Sequence, residues 1–154
     1  NIPVYTMGDV VREETIKRYG GVTPETMNET SLQLRREYGP QVIAMRVYDS
    51  MRKDHNIVLI DGVRSLDEVE FFRSKGGVVI VAVHSSPKTR FKRLIERKRP
   101  GDPVDWTDFI KRDLLELSYG IGSVIALADY MIVNEGDIEE FRNEIRRVLA
   151  KIVY

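Results

Sequence analysis

Residues 57–64 read IVLIDGVR, and this stretch decides the fold class. Four apolar residues are followed at once by a carboxylate, a glycine and, two positions later, an arginine. A short strand that is apolar on both faces is typical of a parallel sheet covered by helices on both sides. Ligands bind at the carboxyl ends of such strands, so Asp61 and Arg64 are predicted to lie at a ligand-binding edge.

Three more apolar stretches predict strands over residues 2–6, 78–83 and 130–133. Helix-start signals separate them: Ser65 and Asp137 each precede a glutamate by three residues, and Ser86 precedes a proline. Strands that alternate with helices indicate βαβ units. The chain is therefore predicted to be one α/β domain over residues 1–154. Its architecture is expected to be a doubly wound parallel sheet with helices on both faces.

Glycine, aspartate and arginine follow the first predicted strand. Gly8 allows the backbone to approach a ligand, and Asp9 is expected to cap the next helix. Arg12 lies one turn further on, near a helix N-terminus that attracts anions. The plainer alternative is an ordinary cap followed by a solvated arginine.

Asp61 and Arg64 follow the second predicted strand directly. A carboxylate in this place resembles a Walker-B acid, which holds Mg²⁺ directly or through water. Arg64 is placed to clamp a phosphate with two hydrogen bonds. The alternative is an Asp-Gly β-turn with a surface arginine.

A basic segment follows the third predicted strand, with seven basic residues and one acid between Ser86 and Pro100. Two helices flank the loop after Arg97, and the second helix carries Arg112. This arrangement predicts a short lid over phosphates at about residues 97–113, with a solvated helix face as the alternative. After the fourth strand, residues 134–136 read NEG, a loop suited to gripping a flat base or simply to turning the chain.

Composition excludes several classes of function. Lys+Arg and Asp+Glu are both 24, which disfavours a globally basic nucleic-acid binder but leaves a local basic face open. The absence of cysteine excludes disulfides, cysteine-based zinc sites and thiol catalysis. The two histidines are too few for a histidine-rich metal site. No apolar run approaches membrane-spanning length, so we expect no membrane partner and a cytoplasmic protein.

The ordered set of these motifs resembles P-loop kinases of the nucleoside monophosphate kinase type, including adenylate kinase and dephospho-CoA kinase. The similarity is greatest to the archaeal adenylate-kinase-related, dephospho-CoA-kinase-like family, and it covers essentially the whole chain. It rests on Gly8-Asp9-x-x-Arg12, Asp61-Gly62-x-Arg64, Arg97 with Arg112-Asp113, and residues 128–136.

The resemblance implies a role for each matching residue. Gly8 and Asp9 correspond to the acceptor-site stretch, and Arg12 and Arg64 to the clamps on the acceptor phosphate. Asp61 corresponds to the carboxylate near Mg²⁺. The helical region at about residues 23–53 matches the acceptor-binding region. Arg97 and Arg112 correspond to the lid arginines that neutralise the transferring phosphoryl group. Asn134, Glu135 and Gly136 correspond to the loop that packs on the donor adenine.

One departure from the family pattern stands out. The sequence contains no Gly-x-x-x-x-Gly-Lys-Ser/Thr, the motif that cradles the β- and γ-phosphates. Residues 1–6 match the family's second strand. We therefore expect one strand, the P-loop and one helix upstream, roughly 25–30 residues in all. Without that strand, its neighbours in the sheet are expected to expose unpaired amides and apolar faces.

These observations predict an ATP- and Mg²⁺-dependent phosphotransferase with a small-molecule acceptor. The acceptor is either a nucleoside monophosphate, held by Arg12 and Arg64, or a hydroxyl compound whose proton Asp9 accepts. The first alternative from another class is a nucleotide-binding regulator or assembly factor with weak ATPase activity that contacts RNA through the basic helix. The second is a degenerate kinase fold that no longer binds phosphate.

Overall fold

The computed structural model describes residues 2–99 and 101–153, so Asn1, Tyr154 and Pro100 of the predicted lid loop lie outside the described residues. The chain divides into two compact units, residues 1–77 and 78–154. Each unit pairs two parallel strands and packs helices beside them. The single domain over residues 1–154 stays a prediction.

In the first unit, strand β1 (Val4–Thr6) pairs in parallel with β2 (Leu59–Asp61), with Thr6 opposite Asp61. Three helices connect the strands and a fourth follows them: α1 (Met7–Tyr19), α2 (Pro24–Tyr38), α3 (Val42–Ser50) and α4 (Leu66–Arg73). The core lies among these helices, where Leu34, Ile43 and Val47 are fully buried. Packed helices therefore lie beside the end of β2, which carries Asp61, and α1 itself carries Asp9.

In the second unit, β3 (Val81–His84) pairs in parallel with β4 (Tyr130–Val133). Three helices connect them and one follows: α5 (Pro87–Arg97), α6 (Trp106–Tyr119), α7 (Ile121–Ala126) and α8 (Ile138–Val153). Phe109 of α6 is fully buried, and its ring lies 5.5 Å from that of Phe91 and 5.3 Å from that of Trp106. This aromatic cluster holds α5 against α6.

The parallel pairing of the strands is confirmed, but the expected cover on both faces is wrong for β3 and β4. Within them only Ala82 and Ile132 are buried, while Val83 and Val133 stay 50% and 60% exposed. Within the described residues each of these strands has one hydrogen-bonded neighbour, so each leaves one row of backbone amides and carbonyls unpaired. The α/β class with parallel strands is thus observed, and one doubly wound sheet stays a prediction.

Candidate functional site

The β1–β2 pair brings most of the predicted acceptor residues to one edge. Because Thr6 lies opposite Asp61, the stretch after β1 and the turn after β2 begin side by side. Gly62 has a φ of +88°, which an L side chain rarely adopts, so glycine is needed where the chain turns away from β2. Gly8, Asp9, Asp61 and Arg64 therefore start from neighbouring strand ends.

Asp9 does not cap α1, contrary to expectation. The helix begins at Met7, directly after β1, so Asp9 already lies inside its first turn. There its negative charge interacts favourably with the helix dipole, but its side chain does not cap the helix. Arg12 lies on the same exposed face, with its Nε atom 4.0 Å from the Asp9 carboxylate. Both side chains are thus open to solvent and to a ligand.

The turn that carries Arg64 is held by a buried carboxylate. Glu68 is fully buried, accepts a hydrogen bond from the backbone amide of Arg64 at 2.8 Å, and pairs with Arg35 of α2 at 2.8 Å. Ser65 and Glu68 have the spacing of a capping box, in which each side chain accepts from the backbone amide of the other residue, but only one of the two bonds forms. Ser65 accepts from the amide of Glu68, but the Glu68 carboxylate reaches the amide one residue earlier than expected. The carboxylate thereby ties α2 to the turn.

Asp61 fits Mg²⁺ only as one ligand among several. Its side chain is exposed at the end of β2. Among the described residues, no group of three or more histidine, aspartate or glutamate side chains is placed to hold a metal ion. Mg²⁺ keeps several waters and is often held by one or two carboxylates together with substrate phosphates. Asp61 can therefore serve as one such carboxylate only together with substrate phosphates and water.

The second unit contains a pocket of about 370 Å³ beside the end of β4. That volume is within the range of small-molecule sites. Four arginines line it, together with Asn134 and an apolar wall of Leu94, Pro103 and Phe109. The four are Arg90, Arg93, Arg97 and Arg112, from α5 and α6. The pocket brings together three of the residues that the sequence assigned to the lid and the base loop.

Arg97 and Arg112 are held in place by groups of the lid loop. Arg97 pairs with Asp102 through two guanidinium hydrogen bonds. These bonds lower the pKa of the Asp102 carboxyl to about 2 and raise the pKa of Arg97. Arg112 donates to the carbonyl of Gly101 and pairs with Asp108 at 3.2 Å. Both guanidinium groups are therefore oriented before any ligand arrives.

Sequence analysis missed two of the pocket arginines. Arg90 pairs with Asp113 and lies 5.2 Å from the Phe109 ring centre. Arg93 donates to the carbonyls of Asn134 and Gly136, each at 2.8 Å. The signal was present, because positions 90, 93 and 97 have the spacing that places side chains on one helix face.

The loop at residues 134–136 is tied closely to α5. The Glu135 carboxylate accepts from the backbone amide and hydroxyl of Ser86 and from the hydroxyl of Thr89, at the start of α5. These bonds lower the pKa of Glu135, with the Thr89 bond as the largest cause. Asn134 lines the pocket, whereas Glu135 and Gly136 do not. Contact of Glu135 and Gly136 with a base stays a prediction.

The sequence matches known proteins along most of its length. The model of the AAA domain family matches residues 1–111. A UPF0200 protein of Staphylothermus marinus is 54% identical over 152 residues, which cover 99% of this chain and 80% of that protein. A UPF0200 protein of Hyperthermus butylicus is 55% identical over 152 residues, covering 98% and 82%. A UPF0200 protein of Methanocaldococcus jannaschii is 44% identical over 156 residues, covering 99% and 79%.

The chain belongs to the UPF0200 family.

The match to the AAA domain places this UPF0200 protein among P-loop NTPase-like α/β proteins, which supports nucleotide binding. The matched stretch includes the β1–β2 edge and Arg97, and it ends one residue before Arg112. The finer resemblance to nucleoside monophosphate kinases stays a prediction. In the described part of this UPF0200 chain, no helix is long and apolar enough to cross a membrane.

Proposed function

We propose that the protein is an ATP-dependent phosphotransferase that transfers the γ-phosphoryl group to a nucleotide or a nucleotide-like small molecule. One observation carries the proposal: four guanidinium groups surround a single pocket beside the end of a parallel strand. Phosphoryl transfer spreads charge over the equatorial oxygens, and catalysis consists mainly of positioning and of neutralising that charge. Guanidinium groups do both, because they bind phosphate with paired hydrogen bonds.

The guanidinium groups of the pocket can bind a polyphosphate in exchange for their present partners. Three of the four arginines pair with carboxylates, and Arg93 donates to two carbonyls and lies near the charge of Glu135. Three carboxylates also line the pocket, namely Asp102, Asp113 and Glu116. An incoming phosphate would therefore compete with these carboxylates for the arginines.

The β1–β2 edge is assigned to the acceptor in this proposal. Arg12 and Arg64 would hold an acceptor phosphate, and Asp9 would orient an acceptor hydroxyl. Asp61 would help to hold Mg²⁺, which shields phosphate charge when it is bound. The exposure of Asp9, Arg12 and Asp61 supports access by a ligand.

The test is phosphoryl transfer by the purified full-length protein, followed by ³¹P NMR with Mg-ATP. The acceptors are the common nucleoside monophosphates and dephospho-CoA. We expect one class of acceptor to be phosphorylated, and Arg97→Gln to lower turnover by about 100-fold or more. Lys92→Gln is the matched control, because Lys92 is an exposed cation of the same helix that pairs only loosely with Glu96, at 3.9 Å.

Two results would contradict the proposal. The first is the lack of transfer to any acceptor by protein that is folded and carries Mg-ATP. The second is equal turnover of Arg97→Gln and Lys92→Gln, because the pocket arginine would then act no differently from a solvated cation.

A further inference from the structure

The Glu68 carboxylate joins the turn after β2 to helix α2, and each of its oxygens serves one of these two elements. Oε2 accepts a hydrogen bond from the backbone amide of Arg64 at 2.8 Å, and Oε1 accepts one from the Arg35 guanidinium at 2.8 Å. Arg35 also donates to the carbonyl and the hydroxyl of Ser31, one turn earlier in α2. A chain of bonds thus runs from α2 through the carboxylate to the backbone of Arg64.

Helix capping alone does not account for this carboxylate. In a capping box it would accept from the amide of Ser65, and an exposed side chain would be sufficient. Here it reaches past Ser65 to Arg64 and is fully buried. A buried ion pair often stabilises a fold no better than apolar side chains of similar volume would. What the Glu68 carboxylate does supply is a fixed backbone position at Arg64.

The backbone position of Arg64 matters because this residue lies at the carboxyl end of a parallel strand, where ligands bind. Gly62 turns the chain away from β2 with a φ of +88°, and Arg64 follows two residues later. Glycine leaves such a turn many conformations, whereas a guanidinium group binds phosphate with paired hydrogen bonds only in the correct orientation. The bond from Glu68 restricts the turn at the residue that would bind the acceptor phosphate.

We propose that Glu68 is a positioning residue that directs Arg64 towards the acceptor phosphate, and that Arg35 holds Glu68 in place for this task. This inference rests on the proposed function, because it concerns the acceptor side of that reaction. In this arrangement Glu68 and Arg35 act through the backbone of Arg64 and do not contact the acceptor. Because Arg35 belongs to α2, the affinity for the acceptor depends on how α2 lies against the turn.

The first test is NMR titration of the full-length protein with AMP, dephospho-CoA and inorganic phosphate, followed at the backbone amide of Arg64. We expect at least one of these probes to shift the resonance of that amide. Arg35→Gln should weaken binding of that probe by about tenfold or more, the effect of losing one hydrogen bond to a charged group. Arg35→Lys should restore most of the affinity, because an ammonium group can still donate to the Glu68 carboxylate. The exposed Arg36→Gln, also on α2, is the matched control.

A second control and a kinetic measurement separate positioning from a loss of stability. Val47 is fully buried in α3, and Val47→Ala removes core packing while it leaves the Glu68 pair intact. This variant should lower the urea midpoint and leave the affinity of the folded protein for the probe unchanged. In steady-state kinetics, Arg35→Gln should raise the KM of the acceptor by about tenfold and leave the KM of Mg-ATP unchanged.

The remaining outcomes overturn distinct claims. Equal binding by Arg35→Gln and Arg36→Gln overturns the positioning role while the proposed function stands. The same holds if Val47→Ala weakens binding as much as Arg35→Gln does, because the loss would then follow stability. If no probe shifts the Arg64 amide, the acceptor site of the proposed function falls together with this inference. If Arg35→Gln weakens binding but no acceptor is phosphorylated, the proposed function falls and the positioning role stands for phosphate binding.

Discussion

At the scale of single residues, the burial of the Glu68 carboxylate leads to a prediction about stability. It is fully buried and paired with Arg35 at 2.8 Å. Removing one partner of a buried pair leaves the other charge poorly compensated, which typically costs about 3–5 kcal/mol. We therefore expect Glu68→Ala to lower the free energy of unfolding by that amount in urea denaturation.

The matched control for Glu68 lies on the same helix. Glu70 pairs with Arg73 at 2.9 Å, but its side chain is 63% exposed. Exposed pairs contribute little because solvent screens them. Glu70→Ala should leave the urea midpoint nearly unchanged, and equal losses in the two variants would show that Glu68 is not held as described.

Asp102 leads to a prediction about pH. Its pKa of about 2 lies below the ordinary aspartate value because Arg97 donates hydrogen bonds to the ionised form. Because the pKa is lower in the folded state, the ionised carboxylate stabilises the fold at pH values above the pKa of the unfolded chain. That stabilisation is lost as the pH falls from about 4 to about 2. The lid loop should therefore keep the Arg97–Asp102 pair until the pH falls into that range.

Carboxyl-carbon NMR measures this pKa directly. Arg97→Gln should raise the pKa of Asp102 towards the ordinary value, whereas the exposed Lys88→Gln should not. An unchanged Asp102 titration in Arg97→Gln would mean that Arg97 does not hold this carboxylate.

At the scale of elements, local capping chemistry made the long helices predictable. Asp137 accepts from the amide of Glu140 at 2.9 Å, and Glu140 accepts from the amide of Asp137 at 3.1 Å, which confirms the predicted cap of α8. Ser86 likewise accepts from the amide of Thr89 before α5. These bonds join residues three positions apart, so the sequence pattern alone predicts them.

Elements and contacts that depend on distant residues were not predictable in this way. Helix α7 begins at Ile121 after Gly120, and among the described residues no side chain caps it, so the sequence has no start signal there. Asp9 looked like a cap, but the helix starts earlier because β1 runs straight into it. The bonds from Arg93 to Asn134 and Gly136 span more than 40 positions, and only the fold brings those residues together.

At the scale of the whole molecule, charge balance favours the phosphotransferase over an RNA-binding regulator. Lys+Arg and Asp+Glu are equal at 24, so RNA affinity would depend on a local basic surface. In α5 the guanidinium groups of Arg90 and Arg93 are bonded within the second unit, which leaves exposed lysines such as Lys88 and Lys92 for phosphate contacts. Few contacts mean weak RNA binding that salt removes.

Thermal unfolding of the full-length protein at about 0.15 M salt tests this choice, because a ligand that binds only the folded state stabilises it. Mg-ATP at about 100 times its dissociation constant contributes about 2.7 kcal/mol, which should raise the Tm by about 5–10 °C. Single-stranded RNA should leave the Tm unchanged, because binding through phosphate contacts alone weakens steeply as salt rises. The opposite pattern, a Tm raised by RNA and not by Mg-ATP, would make α5 an RNA-binding surface and remove the donor role from the arginine pocket.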